Sequence, residues 1–571
     1  MIMIKKQPIR PSHLGGLNYP IRIIPLGGFE EIGLNMMIIE YNGKMIIVDM
    51  GLGFPEEDMP GIDFIIPNIA YLKGKEKNIL GVFITHGHYD HIGAIPYLIE
   101  KLGNPPIFTM PLTAGFILKR QEDFPGVPKL EIHRLKKDEV VHLGSFKVGY
   151  FRVNHNIPDG IGLVINTPVG KIVHSCDFKF DYTPINDEPI DEKKLKAIGE
   201  SNVLALLSDS TNAENPGHSL SESVVLENMD QMFQKAKGRI ITATFASLIS
   251  RIQIIFMLAE KYGRKVAIDG YSMKANVAIA RELKYLKFSS ETLIKPEEVD
   301  KFSDNKIVVL GTGAQGEGNA VLMRIASGEH RFIQIKKGDT VIFSSSVVPG
   351  NERTVQRLKD TLYRRGAKVY HYKMMDLHAG GHGQQEDLRQ MLELIRPKYF
   401  IPIHGNYYML KLHGEIAESV GIKPENIIIA GDGDAIELLS GKVEVVKEKA
   451  PAGYVMVDGL GVGDVGEVVL RDRQVMAQDG MFVVIVIVDS KTGKIRGDPD
   501  VISRGFVYLK ESRALIGEAK SKVKKIVSKA ASPEHTMNWA YVRDQIRERL
   551  GQFLFSKTER RPMILPVVIE I

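Results

Sequence analysis

Three histidines and an aspartate lie within six consecutive residues of the chain: His86, His88, Asp90 and His91. They follow the apolar residues 79–84, which predict a buried strand, and precede the apolar residues 94–99, which predict a helix. In an extended backbone the first two histidines point to one side, and the later two residues can face a second point. Imidazole with carboxylate suits zinc and its first-row neighbours. A histidine-rich surface loop is the alternative, but the chain has only 16 histidines, so their clustering favours a metal site.

Further candidate ligands come directly after apolar runs that predict strands. Three strand ends carry such residues: His155 after residues 146–154, Asp177 after residues 171–175, and Asp209 after residues 203–208. A strand holds the backbone of the residue at its end while the loop opens to solvent, which suits a ligand. Asp209 could equally cap a helix or a turn, and both interpretations stay open for it.

Potential ligands return late in the chain. His378 and His382 lie in a Gly-rich stretch, and His404 follows an apolar run at residues 399–403. Residues 219–370, before them, contain no HxH-type cluster and alternate helical with strand-like runs. This alternation predicts a parallel, doubly wound sheet, so we interpret the region as an insertion that interrupts a metal-binding domain.

The strand pattern before the insertion predicts half of a four-layered αββα sandwich, with a hairpin through Asn42-Gly43. The predicted class is therefore α/β: a sandwich, an inserted doubly wound α/β domain and a small C-terminal α/β domain. The predicted boundaries are 1–215 for the first part of the sandwich, 216–370 for the insertion, 371–447 for the second part, 448–456 for a linker and 457–571 for the C-terminal domain.

The insertion carries Gly-rich or Ser-rich turns at the ends of predicted strands, at residues 311–316, 344–346 and 349–351. Such turns present backbone N–H groups and hydroxyls that can bind an anion. Strand-to-helix turns need Gly and Ser in any case, so a phosphate site and an ordinary turn both remain open.

The composition is that of an ordinary globular protein, with 44% hydrophobic and 25% charged residues. A single cysteine, Cys176, excludes an internal disulfide and fits a reducing cytoplasm. The net charge of +5 permits a polyanionic substrate, and the lysines of residues 520–529 form either a solvated helix face or a nucleic-acid contact. The longest apolar run, residues 481–488, is short of the ~20 residues of a membrane helix, and Lys5-Lys6 precede no apolar stretch, so we expect neither membrane span nor signal peptide.

The HxHxDH pattern of the first cluster resembles the metallo-β-lactamase superfamily of metal-dependent hydrolases. Over nearly the whole chain the motifs resemble the ribonuclease J family, bacterial nucleases of the β-CASP branch. The motifs that carry this resemblance are residues 24–28, 31–36, 85–93, 154–155, 174–179, 208–212, 245–247, 312–317, 349–352, 378–383 and 402–405. One departure lies inside the first cluster, where Tyr89 stands at a position that is more usually glutamate.

The resemblance implies two zinc ions per subunit, with manganese or magnesium as alternatives. The implied ligands are His86, His88 and His155 for one ion, Asp90, His91 and His404 for the other, and Asp177 as a bridge. The implied catalytic residues are His382, Asp209 and Asp90. The implied contacts to a 5′-terminal phosphate are Ser247, Ser344, Ser345, Ser346, Gly350, Asn351 and His378.

The expected function is that of a 5′-to-3′ exoribonuclease with endonuclease activity, which acts in RNA processing, maturation and decay. A hydroxide activated by two metals would leave 5′-phosphate and 3′-hydroxyl ends. Expected partners are single-stranded RNA with a 5′-monophosphate, a second copy in a homodimer or homotetramer, and other RNA-decay proteins. Two alternatives are a small-ester or thioester hydrolase and a catalytically silent RNA-binding or scaffold subunit. The long insertion argues against the first, and the complete ligand set argues against the second.

Overall fold

A computed structural model describes residues 19–571 except 57, 349, 440–441, 447–448, 491, 509–510 and 531–537. The expectations for Lys5-Lys6 and for the first residue of the linker lie outside the described residues. The chain forms two compact units, one of residues up to Gly53 with Ile66–Tyr454, the other of Phe54–Ile65 with Val455–Ile571. Within the described part of the chain, no helix has the length and apolarity needed to cross a membrane.

The strands, in chain order, are β1 Ile21–Gly27, β2 Met36–Tyr41, β3 Lys44–Val48, β4 Phe64–Pro67, β5 Ile79–Phe83, β6 Ile107–Thr109, β7 Ile132–Arg134, β8 Val141–Leu143, β9 Phe146–Arg152, β10 Ile161–Asn166, β11 Lys171–His174, β12 Val203–Asp209, β13 Ile240–Ala243, β14 Lys265–Ile268, β15 Leu293–Ile294, β16 Ile307–Gly311, β17 Thr340–Phe343, β18 Lys368–His371, β19 Tyr399–Ile403, β20 Ala435–Leu439, β21 Lys442–Val446, β22 Tyr454–Asp458, β23 Gly461–Val462, β24 Met481–Val488, β25 Asp500–Arg504 and β26 Met563–Glu570.

The α-helices are α1 Tyr89–Ile92, α2 Ile95–Leu98, α3 Pro111–Gln121, α4 Glu192–Gly199, α5 Glu222–Lys235, α6 Ile249–Lys261, α7 Tyr271–Glu282, α8 Val321–Ser327, α9 Glu352–Arg364, α10 Gln385–Ile395, α11 Tyr407–Ser419, α12 Glu467–Asp479, α13 Arg513–Ala530 and α14 Trp539–Thr558.

Two sheets of the first unit enclose a common apolar core. Their strand orders are β21-β20-β1-β2-β3-β5-β6-β7 and β19-β12-β11-β10-β9-β8. Ile23 and Ile39 of the first sheet share one buried cluster with Leu163 and Ile401 of the second. Helices α4, α10 and α11 cover the outer face of the second sheet through a separate apolar cluster. The predicted αββα sandwich is confirmed, and so is the hairpin, because Asn42 and Gly43 both have positive φ angles.

The insertion forms a third sheet of six parallel strands in the order β15-β14-β16-β13-β17-β18. It leaves the sandwich after β12 and returns before β19, and these two strands pair in parallel, with Asp209 opposite Ile403. The predicted doubly wound insertion is confirmed. Since the carboxyl ends of parallel neighbours meet at one edge, residues on either side of the insertion come together there.

The second unit is built on the sheet β25-β24-β26. Alternate residues of β24, from Phe482 to Val488, are fully buried against α13 and α14. The other face of this sheet exposes aliphatic side chains, among them Ile487 and Ile569, which are 39% and 44% exposed and lie opposite each other in register.

Candidate metal centre

The loop after β5 carries the first histidines, and loops from the neighbouring strands hold it in place. The carbonyls of Tyr89, Asp90 and His91 in α1 accept hydrogen bonds from the backbone N–H groups of Leu52, Asn35 and Met50, respectively. Gly51 is required at this crossing, because a Cβ there would lie 1.6 Å from the carbonyl oxygen of Asp90. The backbone of the ligand-bearing turn is therefore fixed before any metal binds.

The first ligand group consists of His86, His88 and His155, each of which has a ring nitrogen within 4.8 Å of the others. The Nδ1 atom of His88 lies 3.0 Å from Nε2 of His86 and 3.1 Å from Nε2 of His155. Burial lowers the pKa of His86 and His155 well below the ordinary value and that of His88 to about 4. All three imidazoles are therefore neutral at pH 7, which leaves a lone pair on each for a metal ion.

The second ligand group consists of Asp90, His91, Asp177 and His404. One carboxylate oxygen of Asp177 lies 3.2 Å from Nε2 of His91, and the other lies 3.5 Å from Nδ1 of His404. The first of these oxygens also lies 3.7 Å from His86 and 4.0 Å from His155. The Asp177 carboxylate thus faces both ligand groups, the position that a bridging ligand needs.

Charge within the second group is balanced between carboxylates and imidazoles. Although burial lowers the pKa of His404, the carboxylates of Asp177, Asp209 and Asp90 raise it to about 10. Burial alone would raise the pKa of Asp177, but His404 and His91 lower it well below its ordinary value. A divalent cation would replace the protons on these imidazoles and meet the same carboxylates, so the donor set fits such an ion.

Three polar groups outside the two ligand groups orient the rings. Asp49 accepts from Nδ1 of His91 at 2.8 Å and from the hydroxyl of Thr85. The carbonyl of Gly381 lies 2.6 Å from Nδ1 of His155, and the hydroxyl of Thr211 lies 2.9 Å from Nδ1 of His404. Such outer partners set the tautomer and the aim of a metal-binding histidine. These three partners were not predicted from the sequence, in which Asp49 is marked only as a lone carboxylate directly after β3.

His382 and Asp209 form a pair beside both groups. The Nδ1 atom of His382 lies 2.8 Å from a carboxylate oxygen of Asp209, and the two side chains are 21% and 1% exposed. Burial lowers the pKa of His382, but Asp209 outweighs this and raises it above the ordinary value. The ring stacks at 5.5 Å on that of His404, and the backbone of Gly381 approaches so closely that a Cβ there would lie 2.2 Å from the ring of His155.

Comparison with known proteins places each part of the chain. Residues 32–226 match the metallo-beta-lactamase superfamily, and residues 237–362 match the ribonuclease J beta-CASP domain. Residues 372–429 match a Zn-dependent metallo-hydrolase RNA specificity domain, and residues 468–571 match the ribonuclease J C-terminal domain.

Two curated relatives are similar over nearly their full length. The chain is 38% identical to ribonuclease J2 of Bacillus subtilis (strain 168) over 551 residues, 96% of this chain and 99% of the relative. It is 40% identical to ribonuclease J 1 of Streptococcus pyogenes serotype M3 over 561 residues, 98% of each chain.

This chain belongs to the ribonuclease J family. The resemblance drawn from its motifs is thereby confirmed, together with the enzyme class, a ribonuclease, and the indication of a divalent metal. A solved structure titled as a protein of unknown function from Enterococcus faecalis V583 shares the fold, with a TM-score of 0.54 and 17% identity over 75% of this chain and 100% of that one.

One residue predicted to contact phosphate in this ribonuclease J-family chain is placed differently. Ser344 is 0% exposed, and its hydroxyl donates to the carbonyl of Leu377 and accepts from the guanidinium of Arg251. Arg251 is itself fully buried and pairs with the carboxylate of Glu222 at 2.9 Å. The hydroxyl of Ser344 is therefore enclosed at the carboxyl edge of the inserted sheet and engaged by two other segments of the chain.

The remaining predicted phosphate contacts of this ribonuclease J relative lie on the same edge of the inserted sheet or in turns beside it. Gln315 donates to the hydroxyl of Ser345 and to the carbonyl of Ser346, which pins their turn. The N–H of Gly350 already donates to the carboxylate of Glu352. A phosphate bound to these groups would have to displace the hydrogen bonds to Gln315 or Glu352.

The other three predicted residues, His378, Ser247 and Asn351, take no part in those hydrogen bonds. Burial, assisted by Arg251 and Lys179, lowers the pKa of His378 to about 3, so its ring is neutral at pH 7. Its Nδ1 atom has no hydrogen-bond partner among the described residues. Ser247 and Asn351 are half-buried at the starts of α6 and α9. His378 could therefore contribute a hydrogen bond to a phosphate but not a positive charge.

Proposed function

We propose that the protein is a metal-dependent ribonuclease that degrades single-stranded RNA from its 5′ end and also cleaves internally. The proposed products carry a 5′-phosphate and a 3′-hydroxyl, and the proposed role is RNA processing, maturation and decay. One observation carries this proposal: the Asp177 carboxylate faces two groups of candidate metal ligands, and the His382–Asp209 pair lies beside them with His382 partly exposed.

We propose two divalent ions, zinc by preference because imidazole dominates the donor set, with manganese or magnesium as alternatives. His86, His88 and His155 would hold one ion; Asp90, His91 and His404 the other; Asp177 both. Ions bound there would supply Lewis acidity toward the scissile phosphate and toward a water molecule.

His382 is the proposed proton donor to the leaving 3′-oxygen. Its Nδ1 atom is engaged by Asp209, which leaves Nε2 as the nitrogen available to substrate. Asp209 in turn accepts from the backbone N–H and the hydroxyl of Thr211, so its carboxylate is held from two sides. Asp209 therefore fixes both the tautomer and the direction of the His382 ring, a positioning role.

We propose that a 5′-monophosphate binds at the carboxyl edge of the inserted sheet, and that this binding gives the preference for monophosphorylated RNA. Ser247, Ser345, Ser346, Gly350, Asn351 and His378 are the proposed contacts, and Ser344 is the predicted residue that lies buried against Arg251. Arg251 and Ser344 both donate to the carbonyl of Leu377, which holds the backbone directly before His378.

The proposed partners are RNA and further copies of this chain, as a homodimer or homotetramer. The aliphatic face of the sheet β25-β24-β26 supports self-association, because an exposed apolar face of this kind is a common protein interface. We place the enzyme in the cytoplasm on the basis of its single cysteine, and contact with other RNA-decay proteins remains part of the proposal.

Elemental analysis combined with a cleavage time course tests the proposal. RNAs of one sequence, labelled at the 3′ end, would carry a 5′-monophosphate or a 5′-triphosphate. We expect bound divalent metal, faster decay of the monophosphorylated RNA and loss of nucleotides from the 5′ side. The matched control is His86→Ala, which should neither cleave nor retain full metal. Equal rates on both RNAs would remove the 5′-phosphate preference; a wild-type protein that contains metal but cleaves no RNA would support the ester hydrolase or the silent scaffold instead.

A further inference from the structure

One solvent-facing side of the metal centre lies at residues 88–90. His86 and His91 are 0% and 2% exposed, whereas the side chain of Asp90 is 28% exposed and His88 is half-buried. Between these two lies Tyr89, which is 45% exposed. This tyrosine therefore lies at a solvent-facing edge of the centre, next to two of the proposed ligands.

One face of the Tyr89 ring is covered by a side chain of helix α3. The guanidinium of Arg120 stacks over it, 4.7 Å from the ring centre. Arg120 lies one turn along α3 from Phe116, whose ring sits directly against Gly87, where a Cβ would lie 2.8 Å from it. Residues four apart share one helix face, so α3 packs against the ligand loop through both side chains.

The backbone of Tyr89 is fixed as well, because its carbonyl accepts from the N–H groups of Leu52 and Gly93. The tyrosine thus presents a rigid aromatic surface whose phenol has no hydrogen-bond partner among the described residues. An exposed ring held in this way beside a phosphodiester-cleaving centre suits a nucleobase, because single-stranded RNA is recognised largely by stacking of its unpaired bases.

We propose that Tyr89, backed by Arg120, is a stacking platform for the base of a nucleotide that adjoins the scissile phosphate. The inference rests on the proposed ribonuclease function and adds a substrate-contact residue to it. Since every base has an aromatic face, the platform would accept all four bases and would favour unpaired RNA over duplex.

The test compares Tyr89→Leu with Tyr89→Phe in the metal-loaded full-length protein. Loss of one base–aromatic stack costs about 5- to 150-fold, so Tyr89→Leu should lower kcat/KM on a 5′-monophosphorylated RNA by that factor. Tyr89→Phe, which keeps the ring, should stay within about twofold. Tyr363→Leu is the matched control, since that tyrosine is 54% exposed on α9 of the insertion, and its rate should not change.

An abasic residue at the first or second nucleotide separates stacking from a structural effect. When the abasic residue is at the position that stacks on Tyr89, the wild type and Tyr89→Leu should cleave that RNA at similar rates. A 2-aminopurine at the same position should be quenched on binding to wild type and not to Tyr89→Leu, with metal content equal in both. Equal rates of the two proteins on normal RNA, an undiminished difference on both abasic RNAs, or metal loss in Tyr89→Leu would each overturn the platform. A wild type that quenches 2-aminopurine but cleaves nothing would overturn the proposed function instead.

Discussion

Replacement of His382 by alanine should slow cleavage while both metal-ligand groups stay intact. The side chain hydrogen-bonds to Asp209, meets the ring of His155 edge-on at 5.0 Å and stacks on the ring of His404 at 5.5 Å. Removal of the imidazole leaves the buried Asp209 carboxylate with two hydrogen bonds from Thr211, at 3.0 and 2.7 Å. Both of these bonds go to Oδ1, so Oδ2, the oxygen that faced His382, loses its partner, and we expect a stability cost of about 1–3 kcal/mol that a melting curve would report separately from activity.

The loss should appear in kcat, because the proposed role is proton transfer to the leaving oxygen. A positioned general acid contributes about 10²- to 10⁴-fold, so kcat should fall by that factor with KM nearly unchanged. His404→Ala provides the contrast: its ring lies within 3.6 Å of carboxylates of the second ligand group, and its removal should deplete metal.

The assay uses RNA with sulfur in place of the 3′-bridging oxygen at the scissile bond, because a thiolate leaves without a proton. His382→Ala should lose most of its defect on this substrate relative to wild type. Three results would refute the acid role: depletion of metal in His382→Ala, a rate on normal RNA within a few-fold of wild type, or the same defect on both substrates. The first result would assign His382 to the metal ligands, since its ring nitrogen also belongs to a group with Asp177, Asp209 and His404.

Four further predictions address the metals, the insertion, the pH response and self-association. Asp177→Ala should abolish cleavage and lower the metal content measured by elemental analysis, because the Asp177 carboxylate faces both ligand groups. A variant that keeps its activity and its full metal content would contradict this. Arg251→Met should lower the free energy of unfolding by about 3–5 kcal/mol, because it leaves the Glu222 carboxylate buried and unpaired. Urea unfolding followed by a spectroscopic probe placed in the insertion measures this, and a much smaller loss would show that the pair is dispensable. Burial, together with the neighbouring Glu31, raises the pKa of Asp432 to about 8, so the folded state keeps a proton that the unfolded state loses near pH 4. The free energy of unfolding should therefore fall as pH rises from about 4 to about 8, by up to ~1.4 kcal/mol per pH unit. Asp432→Asn should make the melting temperature depend less on pH, and parallel curves for the two proteins would disprove this. Ile487→Lys combined with Ile569→Lys should reduce the molecular mass seen by light scattering, and an unchanged mass would place self-association elsewhere.

The sequence by itself identified the residues that could bind metal, because their chemistry and their positions after strands are local properties. The histidines of the first cluster, His155 and Asp177 all follow predicted strands that the structure contains. The insertion was visible from its strand–helix alternation, and the two-residue hairpin from Asn42-Gly43. Roles of the site residues beyond their placement remain proposals.

Only the tertiary structure decided which of these residues meet. Asp209 was undecided between a cap and a site residue until the pairing of β12 with β19 carried it to His404 and His382, the latter 173 residues away in sequence. Ser344 looked like a phosphate contact because a Ser-rich turn reads the same whether it is open or enclosed. Ser344 is buried and bonded to Arg251 of a different element, a contact that no local pattern could reveal. The backing of Tyr89 by Arg120 likewise arises from packing of α3 on the ligand loop, a contact that sequence spacing does not encode.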